Sequence, residues 1–460
     1  MRLSEKYKSS WDTAVIIMTL AWPTIVEQVM QTAVQYIDTA MVGSLGTQAT
    51  AAVGATSTIN WLVMGTITAI SIGFLSYIAR ACGANDKEMA QKYVAQSVFV
   101  TLVVGIVSTV ILALISFKVP VWMQVDKEIV KLAGEYFFIL YLPMLPRTAT
   151  IILGTVLRAA GDTKTPMRVG IIVNIINIVL NFLLIYPTST YFGITVFGAG
   201  LGVIGAAIAS AIAFAIGGLL ITIETYRHPL VSFKGLSLKP DKDILVPCMK
   251  IAFPNMLQRF GTSLGYVVFA SMINSLGEIA TAAHTIANTV ESAFYIPGFG
   301  MQTAAATLVG NAYGANDNKK MNNLAKMFIP IEVFLMILSG GALFISAPAL
   351  MKIFSTDTNV IGLGTTVLRM VALSEPFYGA FIIVEGMMMG AGKTKEPFIF
   401  SIIGMWCVRI VGTFICTQML GMGLVSAWAC MIAHNMLLFV LYMIVYKLGT
   451  WNPLNKKLSS

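Results

Sequence analysis

The residues in this chain able to do chemistry are few, and the clearest of them form a line. Between Trp22 and Gly43 an otherwise apolar stretch carries Glu27, Gln31, Gln35 and Asp38 at steps of four, four and three, the spacing that stacks side chains on one helix face. A helix of about 20 residues crosses a bilayer, and an acid near its middle costs on the order of 2.5–3.5 kcal/mol. A chain that keeps two such acids is using them, which makes Asp38 the first candidate for a group that binds and releases a cation. Pro23 removes a backbone hydrogen bond about one turn before Glu27, so the helix can bend there. Glu27 then belongs to the bend itself or satisfies the backbone groups that the bend frees. A second polar row, Asn174, Asn177 and Asn181, recurs at steps of three and four in a later apolar run. Read alone, such a row is interhelical glue, because amides bond across packed helices; read with Asp38, it offers oxygen ligands to a small cation.

The elements that must position these groups are membrane helices. With 57% hydrophobic and 11% charged residues in 460 and a mean hydropathy of +0.80, the composition excludes an ordinary soluble domain and predicts an all-α polytopic membrane protein. The polar start, MRLSEKYKSS, followed by an over-long apolar run, does not read as a cleavable signal peptide. Apolar runs predict twelve helices near 13–41, 51–80, 92–117, 130–157, 167–186, 202–226, 243–273, 282–311, 322–347, 362–389, 398–419 and 423–446,. With both termini inside, 22 of the 30 Lys and Arg fall in inward segments, among them Arg2, Lys6, Lys8, Lys456 and Lys457. Only Lys118, Lys127, Lys131 and Lys352 fall outside. The positive-inside rule therefore predicts cytoplasmic termini, and it absorbs most of the net charge of +9, which needs no nucleic acid to explain it. Arg147, Arg259, Arg369 and Arg409 lie within or near helices.

The chain repeats. Pro23 matches Pro254, Ser44-Leu45-Gly46 matches Ser275-Leu276-Gly277, and Gly83-Ala84-Asn85-Asp86 matches Gly314-Ala315-Asn316-Asp317. Gly161, Thr163, Lys164 and Pro166 match Gly392, Thr394, Lys395 and Pro397, all at an offset of 231. Two six-helix lobes follow, 1–226 and 243–446, joined by a cytoplasmic loop at 227–242 and followed by a tail at 447–460. Because six is even, the repeat is parallel, about an axis along the membrane normal.

Enzyme readings fail on spacing. AGKT at Ala391–Thr394 has Met387 where a phosphate-binding loop needs glycine,. AGD at Ala160–Asp162 lacks the surroundings of an intramembrane protease, and no HExxH occurs. The five cysteines have no paired spacing and imply neither a disulfide framework nor a zinc site. His284 reads as a packing residue at a helix start, and the 27 methionines as core or lipid-facing residues, with a minority suited to promiscuous binding.

Asp38 with the following MVG and SLG, the two GAND tetrads, AGDTKTP from Ala160, and PGFG from Pro297 leading to LVGNAYGAND together resemble the multidrug and toxic compound extrusion (MATE) transporters over essentially the whole chain. The resemblance implies two six-helix lobes in a V around a central cavity, and export of organic, often cationic, compounds against inward flow of sodium ions or protons.

Comparing the halves locates the coupling. The second copy of the polar line reads Gln258, Thr262, Tyr266 and Phe269, and Val408 and Gly412 stand opposite Asn177 and Asn181. Only the first lobe surrounds a cation with oxygens. Asp38, Asn177 and Asn181 are the expected cation site, with Gln35, Ser210 and Asn174 as outer partners, and Asp38 is the metal ligand if sodium is the ion. The resemblance supports Asp38 and the two asparagines by position, although several prokaryotic members hold a second carboxylate where this chain has Asn181. The acids that another branch of the family places in the second lobe correspond here to Thr262 and Tyr378. Gln31, Tyr266, Glu291, Glu375 and Glu385 are expected to line the substrate cavity. Glu375 is alternatively a helix-kink residue, and Glu291 a salt-bridge partner of an arginine such as Arg259. The expected protein is a monomeric secondary transporter of the cytoplasmic membrane, without cofactor, driven by H+ or Na+ and carrying lipophilic cations. A lipid-linked precursor flippase is the alternative, though it calls for a strongly cationic cavity.

Overall fold

The computed structural model describes residues 10–123, 126–191, 194–455 of the chain. Arg2, Lys6, Lys8, Lys456 and Lys457, used in the charge count, lie outside the described residues. Besides the one-turn helix Val119–Trp122, the described residues form twelve helical stretches in order. They are α1 (Ser10–Gly43), α2 (Thr47–Gly83), α3 (Lys87–Ile115), α4 (Val130–Tyr141 and Met144–Ala159), α5 (Lys164–Ile185), α6 (Gly202–Arg227), α7 (Lys242–Asn274), α8 (Glu278–Phe294 and Ile296–Gly314), α9 (Asn318–Phe354), α10 (Thr358–Ala372 and Glu375–Gly390), α11 (Lys395–Met419) and α12 (Leu424–Lys447). Eight single helices and the two bent pairs α4 and α10 are long and apolar enough to cross a membrane, and α7 and α8 complete the twelve.

The halves share backbone detail as well as sequence. Asn85 and Asn316, at the same place in the two GAND tetrads, both hold the left-handed conformation, at φ 57° and 54°. Asparagine tolerates that region better than other side chains do. The bends recur too. α4 turns by 49° at Leu142–Pro143 and α10 by 51° at Leu373–Ser374, positions again 231 apart. Prolines in or just beyond each break, Pro143 and Pro146 in one and Pro376 in the other, remove amides that would carry the helix through.

Two features escaped the helical pattern. Pro187–Tyr191 and Ile194–Ala199 pair as an antiparallel hairpin, β1 and β2, after α5. The segment is too short for a span and rich in β-branched residues. In α11, residues 403–410 and 415–419 wind as π-helix.

The chain packs as two compact units. One comprises the residues up to Ile25, Leu75–Asp86 and everything from Met249 onward; the other comprises Val26–Phe74 and Lys87–Cys248. In the first unit Ile17, Leu20 and Ala21 of α1 bury among Met301, Leu308, Phe328, Met387 and Tyr442. The end of α2 crosses α8 in the same unit with no side chain between them. A Cβ at Gly83 would lie 1.9 Å from the Asn311 carbonyl oxygen, and one at Gly314 would lie 1.9 Å from that of Arg80. The contact is reciprocal across the repeat, since 83 and 314, like 80 and 311, differ by 231. A second core in this unit gathers Phe269, Ala283, Leu343, Val367, Met405 and Trp428.

Candidate cation site

In the unit that holds α5 and α6, the asparagine row faces Asp38. Glycine makes this possible: any side chain at Gly205 of α6 would meet the Leu184 carbonyl of α5 at 2.4 Å, so the two backbones touch and Ser210 reaches the amides. Asn181 Nδ2 donates to Asp38 Oδ1 at 2.5 Å. With its amide nitrogen turned toward the acid, Asn177 donates to the same oxygen at 2.9 Å and accepts from the Ser210 hydroxyl at 3.1 Å. Asn174, Asn177 and Asn181 are all buried, and Asp38 is half-buried. Asn181 Oδ1 is buried and has no hydrogen-bond partner among the described residues. That orphaned acceptor beside a carboxylate is what a small hard cation would take up, and the donor set of one carboxylate with neutral amide and hydroxyl oxygens fits sodium or a proton. Asn174 Nδ2 likewise has no partner, and Gln35, expected nearby, is exposed.

Further along the same face Gln31 is exposed, and Glu27 is buried. Glu27 has an ion-pair partner that the sequence reading did not give it. Arg158 Nη1, at the end of α4, donates to both of its oxygens, at 2.9 and 3.2 Å, and Gly170 of α5 packs beside the acid, where a Cβ would lie 3.5 Å from its Cγ. The pair fastens α1 four residues past Pro23. Another expected intramembrane arginine, Arg147, donates to Asn60 Oδ1 at 2.8 Å and lies over the Phe214 ring at 4.4 Å.

The other unit has a different character. Phe269, at the position corresponding to Asp38, is 1% exposed, with the Arg409 guanidinium 4.1 Å above its ring and 4.7 Å from that of Tyr266. Arg409 is itself buried in the π-helical part of α11, with Nη2 3.1 Å from the Met431 sulfur. Where one half sets an acid against amides, the other sets a guanidinium against aromatic faces. His284 packs as expected, accepting from Trp428 Nε1 at 3.2 Å.

The acids expected to face substrate sit inside helix packing. Glu385 accepts from Gln258 at 2.7 Å and Gln302 at 2.9 Å. Glu291 accepts from the Tyr295 hydroxyl, and among the described residues no ion pair joins it to Arg259. Glu375 is fully buried at the start of the second segment of α10, just past its break. Tyr266 stays exposed. The sequence reading passed over Glu332 of α9, which is 0% exposed. Its signal was an isolated acid two residues past Pro330 in an apolar run, the argument that had singled out Asp38.

Twelve membrane helices in two repeats, with an ionisable group set among amides in one of them, define a multi-pass membrane transporter. The chain belongs to the MatE family, whose model matches residues 23–183 and again 254–415. It is 26% identical over 435 residues to the probable multidrug resistance protein NorM of Thermotoga maritima, covering 95% of this chain and 92% of that one. It is 23% identical over 436 residues to the multidrug export protein MepA of Staphylococcus saprophyticus, covering 94% and 93%. Its fold is similar to that of an outward-facing multidrug resistance MATE family transporter of the MOP superfamily, with a TM-score of 0.88 at 23% identity over 96% of this chain and 97% of the other.

Proposed function

We propose that this protein is a cation-coupled antiporter that exports organic, often cationic and lipophilic, compounds across the cytoplasmic membrane, with both termini on the cytoplasmic side and Asp38, Asn177 and Asn181 as the site of the coupling ion, H+ or Na+. The names of its relatives support the substrate class. The observation that carries the ion site is Asp38 Oδ1 held 2.5 Å from Asn181 Nδ2 while the oxygen of that amide stands buried and unpartnered. An incoming cation neutralises the carboxylate and takes the spare amide oxygen, so the ion and the empty site prefer different arrangements of α1 against α5. α1 can yield at Pro23, and the Glu27–Arg158 pair holds it just beyond. Exchange needs only that ion and substrate favour different states of the protein.

The test is substrate flux in proteoliposomes with sodium and pH gradients imposed separately. Asp38→Asn should abolish gradient-driven efflux while leaving folded protein in the membrane, and adding Phe269→Asp should not restore it. Wild-type efflux by Asp38→Asn would refute the assignment.

A further inference from the structure

In the unit that contains α9 and α10, two acids have no visible means of support. Glu332 and Glu375 are each 0% exposed, and among the described residues none hydrogen-bonds any of their four carboxyl oxygens. They lie on faces that pack together. On α9 the face steps by fours through Glu332, Met336 and Gly340; on α10 it runs from Glu375 to Gly379. A Cβ at Gly379 would lie 3.2 Å from Glu332 Cγ and 2.6 Å from Met336 Cγ, and one at Gly340 would lie 3.1 Å from Glu375 Cβ. From α8, Gly298 comes close enough that its Cβ would sit 3.2 Å from Glu332 Oε1. Glycines thus let three backbones close over the two carboxyls.

The repeat does not require acids here. The positions 231 earlier are Thr101 and Met144, both buried, so the scaffold accepts neutral side chains at both places. An ionised carboxylate without a donor in this setting costs several kcal/mol. The titratable groups of the neighbouring elements offer little relief. Glu291 and Tyr295 on α8 are bonded to each other. Glu385 on α10 has its own amide donors, and Tyr378 on α10 packs on Tyr295. Arg369 is turned to the Phe344 carbonyl at 3.3 Å, Arg409 is stacked on Phe269, and His434 on α12 is buried with both ring nitrogens unpartnered.

We propose that Glu332 and Glu375 form a proton-binding carboxyl pair in the second half of the protein, separate from the Asp38 site and absent from the first half. Glu375 is the first residue after the 51° break in α10. Movement at that break carries its carboxyl along Glu332 and opens the pair to exchange with water. The packed arrangement described here is the loaded one, with both carboxyls protonated, and its protons belong to the second half whatever ion Asp38 takes.

The experiment is infrared spectroscopy of the purified full chain in nanodiscs, titrated with pH, with and without heavy-carbon-labelled glutamate. Wild type should show a protonated-carboxyl C=O band at neutral pH that moves on glutamate labelling, which distinguishes it from Asp38 without any substitution. Glu332→Thr and Glu375→Met, which install the residues of the first half, should each lower the band that remains in a Glu291→Gln, Glu385→Gln background and together remove it, whereas Asp38→Asn should leave it. Absence of that band, or its unchanged intensity in either variant, would overturn the proposal. If either variant fails to fold, Glu332→Gln or Glu375→Gln, which keeps the side-chain volume, decides in its place.

Discussion

The ion pair between Glu27 and Arg158 makes a quantitative demand. Its side chains are 11% and 15% exposed and meet through contacts of 2.9 and 3.2 Å from a single guanidinium nitrogen. A solvent-exposed pair contributes about 0–1 kcal/mol, whereas removing one partner of a buried pair costs about 3–5 kcal/mol because the other charge is left without compensation. With this partial exposure, Arg158→Gln should cost about 2–3 kcal/mol, between those limits. Glu27→Gln should cost a similar amount, since it strands the guanidinium. The double variant Glu27→Gln with Arg158→Gln leaves no charge stranded and should be more stable than the sum of the singles by about 1–2 kcal/mol. Thermal unfolding of the four proteins purified in one detergent completes the cycle. Additive losses would show that the two side chains do not depend on each other, and the role given to the pair in anchoring α1 beyond Pro23 would fall with that result.

Other outcomes follow from single positions. Gly314→Ala should sharply lower membrane yield and thermal stability, because its Cβ meets a backbone oxygen that cannot move alone. Gly341→Ala on α9, where a Cβ meets nothing within 4 Å, should be neutral or slightly stabilising by about 1 kcal/mol or less, and equal behaviour of the two would refute the α2–α8 crossing. Cys416 and Cys430 have sulfurs 4.0 Å apart, so a mild oxidant should join them and reduce the count of reactive thiols by two; retention of both thiols would contradict the packing of α11 on α12. His228, just past the end of α6, has its pKa lowered from 6.5 by burial, with Asp162 3.9 Å away opposing the shift. The unfolded chain therefore binds the proton more readily than the folded one. Stability should fall as pH drops through 6.5 and below, and His228→Gln should flatten that acid limb; an unchanged limb would exclude this histidine.

Much of the architecture was legible because membranes make simple demands of sequence. Apolar length located the helices, and the offset of 231 predicted paired turns that appear as matching left-handed asparagines. Asp38 and its amides were legible because helical spacing alone brings Asn177 and Asn181 onto one face. Depth of burial was not legible. Glu291, Glu375 and Glu385 were read as facing a cavity, since a sequence records that an acid lies in a membrane helix but not whether glycines on its neighbours close over it. Glu332 was missed for the same reason, as its surroundings are Gly298 and Gly379 from distant stretches. Nothing in the sequence marks Arg158 as the partner of Glu27, because the two lie 131 residues apart, beyond the reach of any local pattern. The breaks in α4 and α10 left only prolines as clues, and Pro330 and Pro348 lie inside an unbroken α9, so proline alone does not specify a break.

A membrane protein assembled from two identical half-length subunits would have to carry every residue in duplicate. Covalent joining removes that constraint. Asp38 can then stand without a twin while Phe269 lies beneath Arg409, and Glu332 and Glu375 can replace the threonine and methionine of the other copy, without either change being imposed on its counterpart. What the fused chain gains over a homodimer is freedom for its halves to diverge in chemistry while remaining alike in shape.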